Sequence, residues 1–410
     1  MNWVEHKLGE FISIKHGWAF KGKFFAEDGK YLLLTPGNIH ETGGLKLRPG
    51  KEKFYTGEFP DEFLMKAGDM LVVMTDLIQA APILGGAIVV PEDGRYLHNQ
   101  RLGLVEYLPD RTIDKTFLYY VLNSPMYRGQ VRSSATGATV RHTAPKRIYE
   151  CTVLMPDLVE EQQQVGAVLA AYDDLITANQ RRIVLLEDAA RRLYREWFAH
   201  LRFPGHETVR VVDGVPQGWQ RKNLFDVADV DYGFPFKAGQ FNNNGVGMPV
   251  VRIRDIPDVS TSTYTTEEVD NSYIIERGDF LIGMDGIFHM NYWVGCNAYL
   301  VQRVCRVRPR EELLRAYIGL ALLAPIKEFE ISIQGATVAH LGAKHLKQIK
   351  LLIPCKLEEK LEMLNSMLWQ TITLREENIQ LARARDLLLP KLMSGQLDVS
   401  GVALPEEAAA

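Results

Sequence analysis

Two patterns of hydrophobic and polar residues alternate along the chain and divide it into four segments. In residues 1–155, short apolar runs are separated by turn signals such as Gly43-Gly44 and Gly85-Gly86, which is typical of β-strands in a compact α+β module. One helix is predicted inside this module, over residues 114–130. The predicted strands are residues 31–35, 70–74, 87–90, 102–107 and 151–155.

The pattern changes over residues 158–200, where apolar residues recur at alternating spacings of four and three. This spacing predicts a long helix with a coiled-coil seam of about five heptads, in which Asn179 is the polar member. A second α+β module follows, to about residue 352, and then a second long helix over residues 357–389, which Pro390 should end. The seam positions are Val165, Leu169, Tyr172, Ile176, Asn179, Ile183, Leu186, Ala190, Leu193 and Trp197 in the first helix and Met367, Leu374, Leu381 and Leu388 in the second.

These helices have two interpretations. Packing within the chain would be sufficient to explain them. Each helix nevertheless carries apolar residues beyond one seam, such as Val168 and Leu175 in the first, which favours more than one packed face. Asn378 falls close to the position that Asn179 has in the first helix. Because a polar side chain in a seam is best satisfied by another across it, we predict that the two asparagines fix the register by pairing.

The chain also repeats itself. Residues 137–142, followed by a strand that ends at Pro156 and a long helix, recur as residues 335–340 with a strand that ends at Pro354; 335 minus 137 and 354 minus 156 both give 198. More diverged echoes relate residues 17–21 to 233–237, Leu8 to Leu224, and 68–71 to 278–281. The predicted domains are therefore an α+β module (1–155), a spacer helix (156–202), a second module (203–353), a second spacer helix (354–396) and a mobile tail (397–410).

Composition limits the class of protein. A chain of 410 residues with 46% hydrophobic and 24% charged residues can bury more than one core. No run of about 18 uncharged apolar residues is present and the N-terminus lacks signal-peptide features, so we expect a cytoplasmic protein without a membrane partner. The four cysteines form no closely spaced pair, which favours reduced thiols. The net charge of −4 does not itself indicate nucleic-acid binding, but charge distribution matters more.

Two basic segments at matching positions change that picture. No acidic residue lies between Tyr127 and Tyr149 or over residues 331–357. A solvated basic surface is the simpler interpretation of one such segment, whereas two favour contact with the phosphates of duplex DNA. The predicted contacts are Arg128, Arg132, Arg141, His142, Lys146 and Arg147 in the first segment and His340, Lys344 and Lys347 in the second, with Thr139 or Thr337 and nearby backbone donors fixing the module on the duplex.

Other repeated residues could reach base edges. Lys21 follows Trp18 and Phe20, as Lys237 follows Phe234 and Phe236. These aromatic residues are also typical of a core. Glutamine suits adenine and arginine suits guanine, but a matched pair can equally be structural, because heads that read different sequences need not share reading residues. The repeated pairs are Gln100-Arg101 and Gln302-Arg303.

Motifs for catalysis are missing. Gly245-Val246-Gly247 lacks the third glycine of a dinucleotide fingerprint, and residues 44–51 have the wrong spacing for a phosphate loop. The chain has no Asp/Asn-Pro-Pro-aromatic motif for amino-group methylation, and its histidines lack the spacing of metal ligands. We therefore expect a recogniser without a catalytic residue, metal or cofactor of its own.

With this organisation, the chain resembles the specificity subunit of Type I restriction-modification enzymes over essentially its full length. The most specific similarities are the helix entry at residues 154–162 (LMPDLVEEQ), the helix end at 195–198 (REWF) and the C-terminal stretch 387–398 (LLLPKLMSGQLD). The second helix entry, residues 354–360, departs from the pattern because it lacks the glutamine.

The resemblance implies an α+β protein with two target recognition domains, each reading one half of a split double-stranded DNA site. It also implies two spacer helices that pack antiparallel, relate the domains by a pseudo-twofold axis and dock two modification subunits. The methyltransferase partner would flip an adenine and bind S-adenosylmethionine, and ATP-dependent restriction subunits would complete the complex. A helix of about 40 residues is ~60 Å long, enough to hold two heads about one DNA turn apart. The alternative is a structural coiled-coil scaffold without specific DNA binding.

Overall fold

The computed structural model describes residues 1–48, 50–333 and 339–402. The chain forms two compact units: unit 1 comprises Met1–Asp174 and Leu381–Ala410, and unit 2 comprises Leu175–Gln380. Within the described ranges, every helix is too short or too polar to cross a membrane.

Unit 1 is built on a four-stranded antiparallel sheet, which we call its central sheet. The strand order is Ile12–His16, Leu102–Tyr107, Met70–Val73 and Ala87–Val89. A second sheet has the order Phe25–Ala26, Phe54–Tyr55, Tyr31–Leu34 and Tyr96–His98, and its last pair is parallel. Two antiparallel pairs complete the unit: Trp3–Lys7 with Thr152–Pro156, and Thr75–Asp76 with Arg141–His142. The five predicted strands are confirmed.

The single helix predicted over residues 114–130 is wrong, because the structure has two helices there. Lys115–Asn123 and Pro125–Ser134 are separated at Ser124, whose backbone is extended. Pro125 disfavours a helical conformation in the residue before it, and the Ser124 side chain accepts a hydrogen bond from the Tyr127 N–H to cap the second helix. A short third helix, Pro145–Tyr149, precedes the last strand.

Unit 2 repeats this topology. Its central sheet has the order Ala228–Tyr232, Val304–Pro309, Phe280–Gly283 and Met290–Tyr292. The second sheet has the order Phe241–Asn242, Tyr264–Thr265, Met248–Val251, Ala298–Leu300 and Ile274–Ile275, again with one parallel pair. The remaining strands are Gln220–Asn223, paired with Lys350–Ile353, and the hairpin of Val211–Val212 with Val215–Pro216; the helices of the module are Leu224–Val227, Arg315–Ile333 and Ala343–Leu346.

Two glycines show why the repeated sequence at residues 17–21 and 233–237 is needed. A Cβ atom on Gly17 would lie 2.2 Å from the Asn99 carbonyl oxygen, and one on Gly233 would lie 2.1 Å from that of Val301. Only glycine permits this approach of two backbones. The approach joins the central sheet to the second sheet in each unit, through the parallel bridges Trp18 to Asn99 and Phe234 to Val301.

The two long helices run over Val159–Tyr194 and Glu358–Met393, and a π-helical turn, Arg195–Ala199, extends the first. The prediction that Pro390 ends the second helix is wrong, since the helix continues through it. A proline inside a helix costs about 3 kcal/mol. Leu392 and Met393, both almost fully buried beyond it, offset this cost, because burial of each stabilises by about 1.5–3 kcal/mol.

Each unit contains contacts between segments of the two helices. In unit 1, Leu389 and Leu392 share a core with Val165 and Leu169. In unit 2, Asn378 donates to the Ile176 carbonyl, and Arg375 pairs with Glu187. Since the partner number falls as the first-helix number rises, these segments of unit 2 run antiparallel.

The predicted pairing of the two asparagines is wrong. Asn179, which is 2% exposed, donates through Nδ2 to the Glu377 carboxylate at 3.3 Å. Asn378 instead donates to the Ile176 carbonyl at 3.3 Å. Each asparagine therefore donates to a neighbour of the other, one residue or one turn away from the position expected for a direct pair, and the Asn378 Oδ1 atom is buried without a partner among the described residues.

The start of the predicted mobile tail is packed. Leu397 contacts the unit 1 core, and Val399 is 7% exposed within it. Gly395 adopts a left-handed conformation (φ 70°) and lies against the Trp3 indole, which turns the chain back toward this core.

Candidate nucleic-acid interface

A histidine from each basic segment is held by a polar side chain at the end of a strand. In unit 1, His142 Nδ1 lies 3.0 Å from Thr75 Oγ1. In unit 2, His340 Nδ1 lies 2.6 Å from Asp285 Oδ1. Their backbones also pair antiparallel, His142 with Thr75 and His340 with Asp285. The two arrangements are equivalent, because 340 minus 142 gives 198 and 285 minus 75 gives the 210 that also relates residues 68–71 to 278–281.

Unit 2 brings a further predicted residue to this histidine. Arg303 Nη1 lies 3.4 Å from Asp285 Oδ1 and 3.3 Å from His340 Nδ1. Arg303 has a φ of 76°, which is uncommon for a residue with a Cβ, and Gln302 beside it is exposed. The structure therefore joins Arg303 to His340 through Asp285, a residue that sequence reasoning missed.

The equivalent turn of unit 1 is arranged differently. Gln100 and Arg101 are exposed, and the Arg101 backbone N–H donates to Asn99 Oδ1 at 2.9 Å. The Gln100 N–H donates to the Trp18 carbonyl at 3.0 Å. Within the described parts of the chain, the Arg101 guanidinium has no acidic partner within 4 Å, so it is accessible to an anion.

Three lysines of the basic segments also point to solvent. Lys146 lies on the helix Pro145–Tyr149, Lys344 lies on Ala343–Leu346, and Lys347 follows the latter helix. Lys146 and Lys344 are equivalent, since 344 minus 146 gives 198. No acidic side chain of residues 1–48, 50–333 or 339–402 lies within 4 Å of these three ammonium groups. Their charge is therefore available for phosphate contact.

The prediction that Arg128 contacts DNA is wrong. Arg128 is 5% exposed, and its guanidinium donates to the carbonyls of Glu41 and Pro82. Burial lowers the pKa of Arg128 from its ordinary value. This arginine fixes two loops of unit 1 from the inside.

Two other predicted cations stabilise a loop of the first basic segment. The Arg141 guanidinium donates to the carbonyls of Arg132, at 3.0 Å, and of Ala135 and Gly137, both at 3.3 Å. Arg147 Nη1 donates to Thr136 Oγ1 at 3.0 Å. Both side chains are half-buried, as is Arg132, so the segment offers less free charge than its sequence indicated.

The two predicted threonines have different outcomes. Thr139 is exposed in the loop that Arg141 stabilises. Gly137 shapes this loop, with φ 94° and a position where a Cβ would lie 2.0 Å from the Val140 carbonyl oxygen. Thr337 lies outside the described residues.

Lys21 and Lys237 are exposed at equivalent positions, each before a 3₁₀ turn. Their aromatic neighbours pack against one another: ring centroids are 5.0 Å apart in both the Trp18–Phe20 and the Phe234–Phe236 pairs. Phe20 is buried in the unit 1 core, whereas Trp18, Phe234 and Phe236 are only partly buried.

A cavity of about 170 Å³ in unit 1 lies beside the Gln100-Arg101 turn. Lys53 Nζ lies 5.7 Å from the centre of the Phe25 ring that lines it. In unit 2 the equivalent ring, Phe241, has Arg252 at 6.0 Å. The strand registers make Thr35 equivalent to Arg252 and Lys53 equivalent to Thr263.

The cation and the threonine have thus exchanged strands between the units. In unit 2, Arg252 donates to Thr263 and pairs with Asp255 at 3.4 Å. In unit 1, Lys53 is exposed, and no described acidic side chain lies within 4 Å of it. The exchange leaves a free cation at this position of unit 1 and a neutralised one in unit 2.

The described ranges hold no group of three or more His, Cys, Asp and Glu side chains placed to bind a metal ion. What they bring together instead are hydrogen-bonded histidines, exposed lysines and an arginine, which suit contact with anions and base edges.

Several known proteins are similar to this chain. The sequence profile of the Type I restriction modification DNA specificity domain matches residues 1–188 and 216–378. The chain is 32% identical over 190 residues to the EcoBI specificity subunit of a Type I restriction enzyme from Escherichia coli, covering 45% of this chain but only 40% of that subunit. It is 23% identical over 313 residues to the MjaIX specificity subunit from Methanocaldococcus jannaschii, covering 72% of each.

The fold also has a counterpart among solved structures. A crystal structure of a Type I restriction-modification system S subunit from M. genitalium superposes with a TM-score of 0.59, at 15% identity and 96% coverage of both chains. At this identity the similarity shows the fold alone.

Proposed function

Because the chain belongs to the Type I restriction modification DNA specificity family, we propose that it is the DNA-recognition subunit of a Type I restriction-modification complex. Each unit reads one half of a bipartite site in double-stranded DNA. Methylation and cleavage lie on partner subunits, and this chain contributes sequence recognition.

The duplicated histidine arrangement is the observation that carries this proposal. His142 with Thr75 and His340 with Asp285 occupy equivalent positions, each followed by an exposed lysine, Lys146 or Lys344. A protein that binds DNA at two half-sites needs two such surfaces. Lysines supply affinity that is independent of sequence, while the neighbouring Gln100-Arg101 and Gln302-Arg303 turns supply side chains able to read bases.

We further propose that the long helices form an antiparallel coiled-coil pair that sets the unspecified gap between the half-sites. The antiparallel contacts of Ile176 with Asn378 and of Glu187 with Arg375 support this role. An antiparallel pair would relate the two units by a pseudo-twofold axis like that of duplex DNA, so that each could approach the duplex in the opposite strand sense.

The complex would contain two modification subunits, docked on the helices, and restriction subunits that supply ATP-dependent translocation and cleavage. S-adenosylmethionine would bind to the methyltransferase partner. Exposed aliphatic residues on the first long helix, Val184 and Leu185, support docking of another protein there.

The decisive experiment exchanges one module. Residues 1–155 are replaced by the corresponding module of a relative with a different site, keeping Val165, Leu169, Leu389 and Leu392, which share the unit 1 core. The variant is expressed with the modification subunits, and the methylated motif of the host genome is sequenced. We expect one half-site to change and the other to remain; a change in both would contradict independent reading.

A structural scaffold is the alternative, and the same material tests it. A scaffold would bind duplexes weakly, with the same affinity for every sequence. The assembled complex should instead bind duplexes that contain the sequence it methylates more tightly than unrelated duplexes. This preference should persist as added salt weakens total binding.

A further inference from the structure

An exposed apolar loop lies directly beside the histidine arrangement of unit 1. Leu77 and Ile78, which are 55% and 57% exposed, follow the strand Thr75–Asp76 that pairs with Arg141–His142. Single exposed aliphatic residues are ordinary on protein surfaces. Two in succession, next to a segment without any acidic residue, call for a specific partner.

Hydrogen bonds from two buried side chains hold the backbone of this loop in place. Asp76 is 1% exposed, and its carboxylate accepts hydrogen bonds from the N–H groups of Ile78, at 3.0 Å, and Ile83, at 2.9 Å. The buried Arg128 donates to the carbonyl of Pro82 in the same loop. The buried Asp76 carboxylate and the buried Arg128 guanidinium therefore fix the backbone of a loop whose outward side chains are apolar. This is the arrangement of a preorganised binding element.

Unit 2 presents an exposed aliphatic residue at the equivalent position. Ile287 is 60% exposed, and 287 minus 77 gives the same 210 that relates Asp285 to Thr75. The buried Phe288 anchors this shorter loop, and the Gly286 N–H donates to the Ala339 carbonyl at 2.9 Å, beside His340. The loops differ in length and sequence, yet both carry an exposed aliphatic residue two positions after the residue whose side chain contacts the histidine.

We propose that Leu77 and Ile78 in unit 1 and Ile287 in unit 2 read DNA by apolar contact with the C5-methyl groups of thymine. This inference rests on the proposed function. In the major groove the thymine methyl is the apolar group that distinguishes one base pair from another. Lys146 and Lys344 are exposed and lie four residues after the histidines that pair with these segments. Their charge is complementary to phosphate, which favours a nucleic acid over an apolar protein surface as the occupant.

Because the loops differ, the two units should differ in how strongly they depend on thymine methyl groups. Unit 1 offers two adjacent aliphatic side chains, and unit 2 offers one, between Gly286 and the buried Phe288. We expect the unit 1 half-site to depend on thymine methyl groups more strongly than the unit 2 half-site.

The test uses the complex with its modification subunits and duplexes that carry its methylated motif. Each thymine of the motif is replaced singly by deoxyuridine, which removes only the methyl group, and affinity is measured by fluorescence anisotropy. At one or two positions of the unit 1 half-site we expect a loss of about fourfold for each methyl, from its burial. At the unit 1 half-site, the variant L77S/I78S should bind the thymine and deoxyuridine duplexes equally, and I287S should abolish the effect in the other half-site alone.

The control is V212S, which removes an aliphatic residue of similar exposure (53%) from the hairpin Val211–Pro216 and should retain the methyl effect. All substituted residues are exposed, so thermal melting should be unchanged. Deoxyuridine that has no effect at any position, or the same effect at the unit 1 half-site in wild type and L77S/I78S, would overturn the methyl contact while leaving sequence-selective binding intact. Loss of the proposed function itself would be seen differently, as wild-type complex that binds every duplex alike.

Discussion

Substitution of an exposed cation in the basic segment should weaken DNA binding, whereas substitution of a buried cation should destabilise the fold. Lys146 is exposed, whereas Arg128 is buried and bonded to the Glu41 and Pro82 carbonyls. Each phosphate contact contributes about 0.9 to the slope of log affinity against log salt. Lys146→Ala should lower that slope by about 0.9, so its affinity deficit should shrink about 3.5-fold between 50 and 200 mM salt. Its melting temperature should not change.

Arg128→Met should instead destabilise unit 1. The partly buried carbonyls of Glu41 and Pro82 lose their donor, at up to about 1–3 kcal/mol each, or up to about 2–6 kcal/mol together. The assays are fluorescence anisotropy over a salt series with the assembled complex, and urea unfolding combined with hydrogen exchange of residues 77–83. Lys344→Ala is the matched variant in unit 2 and should behave like Lys146→Ala. The reasoning is refuted if Arg128→Met unfolds like wild type while its salt slope falls by about 0.9, or if neither lysine variant changes the slope.

Three further predictions follow from particular contacts. Burial lowers the pKa of His98 from 6.5 to about 4. Between these pH values the unfolded state binds a proton that the folded state does not, so the free energy of unfolding of unit 1 should fall by up to about 3 kcal/mol as pH falls from 6.5 to 4. In His98→Gln, urea unfolding should show a free energy of unfolding that depends less on pH. Gly233→Ala should cost about 1–3 kcal/mol in thermal melts because its Cβ meets the Val301 carbonyl, whereas Gly239→Ala, with open space around it, should cost far less. Inserting about four residues between Ala170 and Ile183, with a compensating change in the second helix, should lengthen the unspecified DNA gap by one or two base pairs, since one turn is ~5.4 Å and a base-pair rise is ~3.4 Å; a methylated motif with the original gap would show that spacing is set elsewhere.

Local signals predicted the secondary structure well where one pattern dominated. The strand predicted at residues 102–107 matches Leu102–Tyr107 to the residue. The failures occurred where a local signal competed with another force. Ser124 combines a cap with a following proline and splits a helix, whereas Pro390 does not end its helix because buried residues beyond it outweigh its cost.

The sequence predicted the histidines of the candidate interface but not the residues that they contact. His142 and His340 stood out from the repeated motif, but their partners lie 67 and 55 residues away, beyond any local pattern. The offset of 210 between residues 68–71 and 278–281, carried four residues further, would have aligned Thr75 with Asp285. Charge counting overestimated the first basic segment for a related reason, since the sequence alone does not separate the buried Arg128 from the exposed Lys146.

Under the proposed function, the two units read different half-sites, so the duplicated chain must keep the residues that its backbone needs and vary those that its fold tolerates. Gly17 and Gly233 are of the first kind, because a side chain at either position would collide with the facing strand. The exchange of Thr35 and Lys53 for Arg252 and Thr263 is of the second kind: each unit places one cation near the equivalent phenylalanine, but Lys53 stays free while Arg252 is bound to Asp255. These positions differ in available charge and are not constrained by the common framework, so under the proposed function a change of DNA sequence preference can occur there without a change of fold.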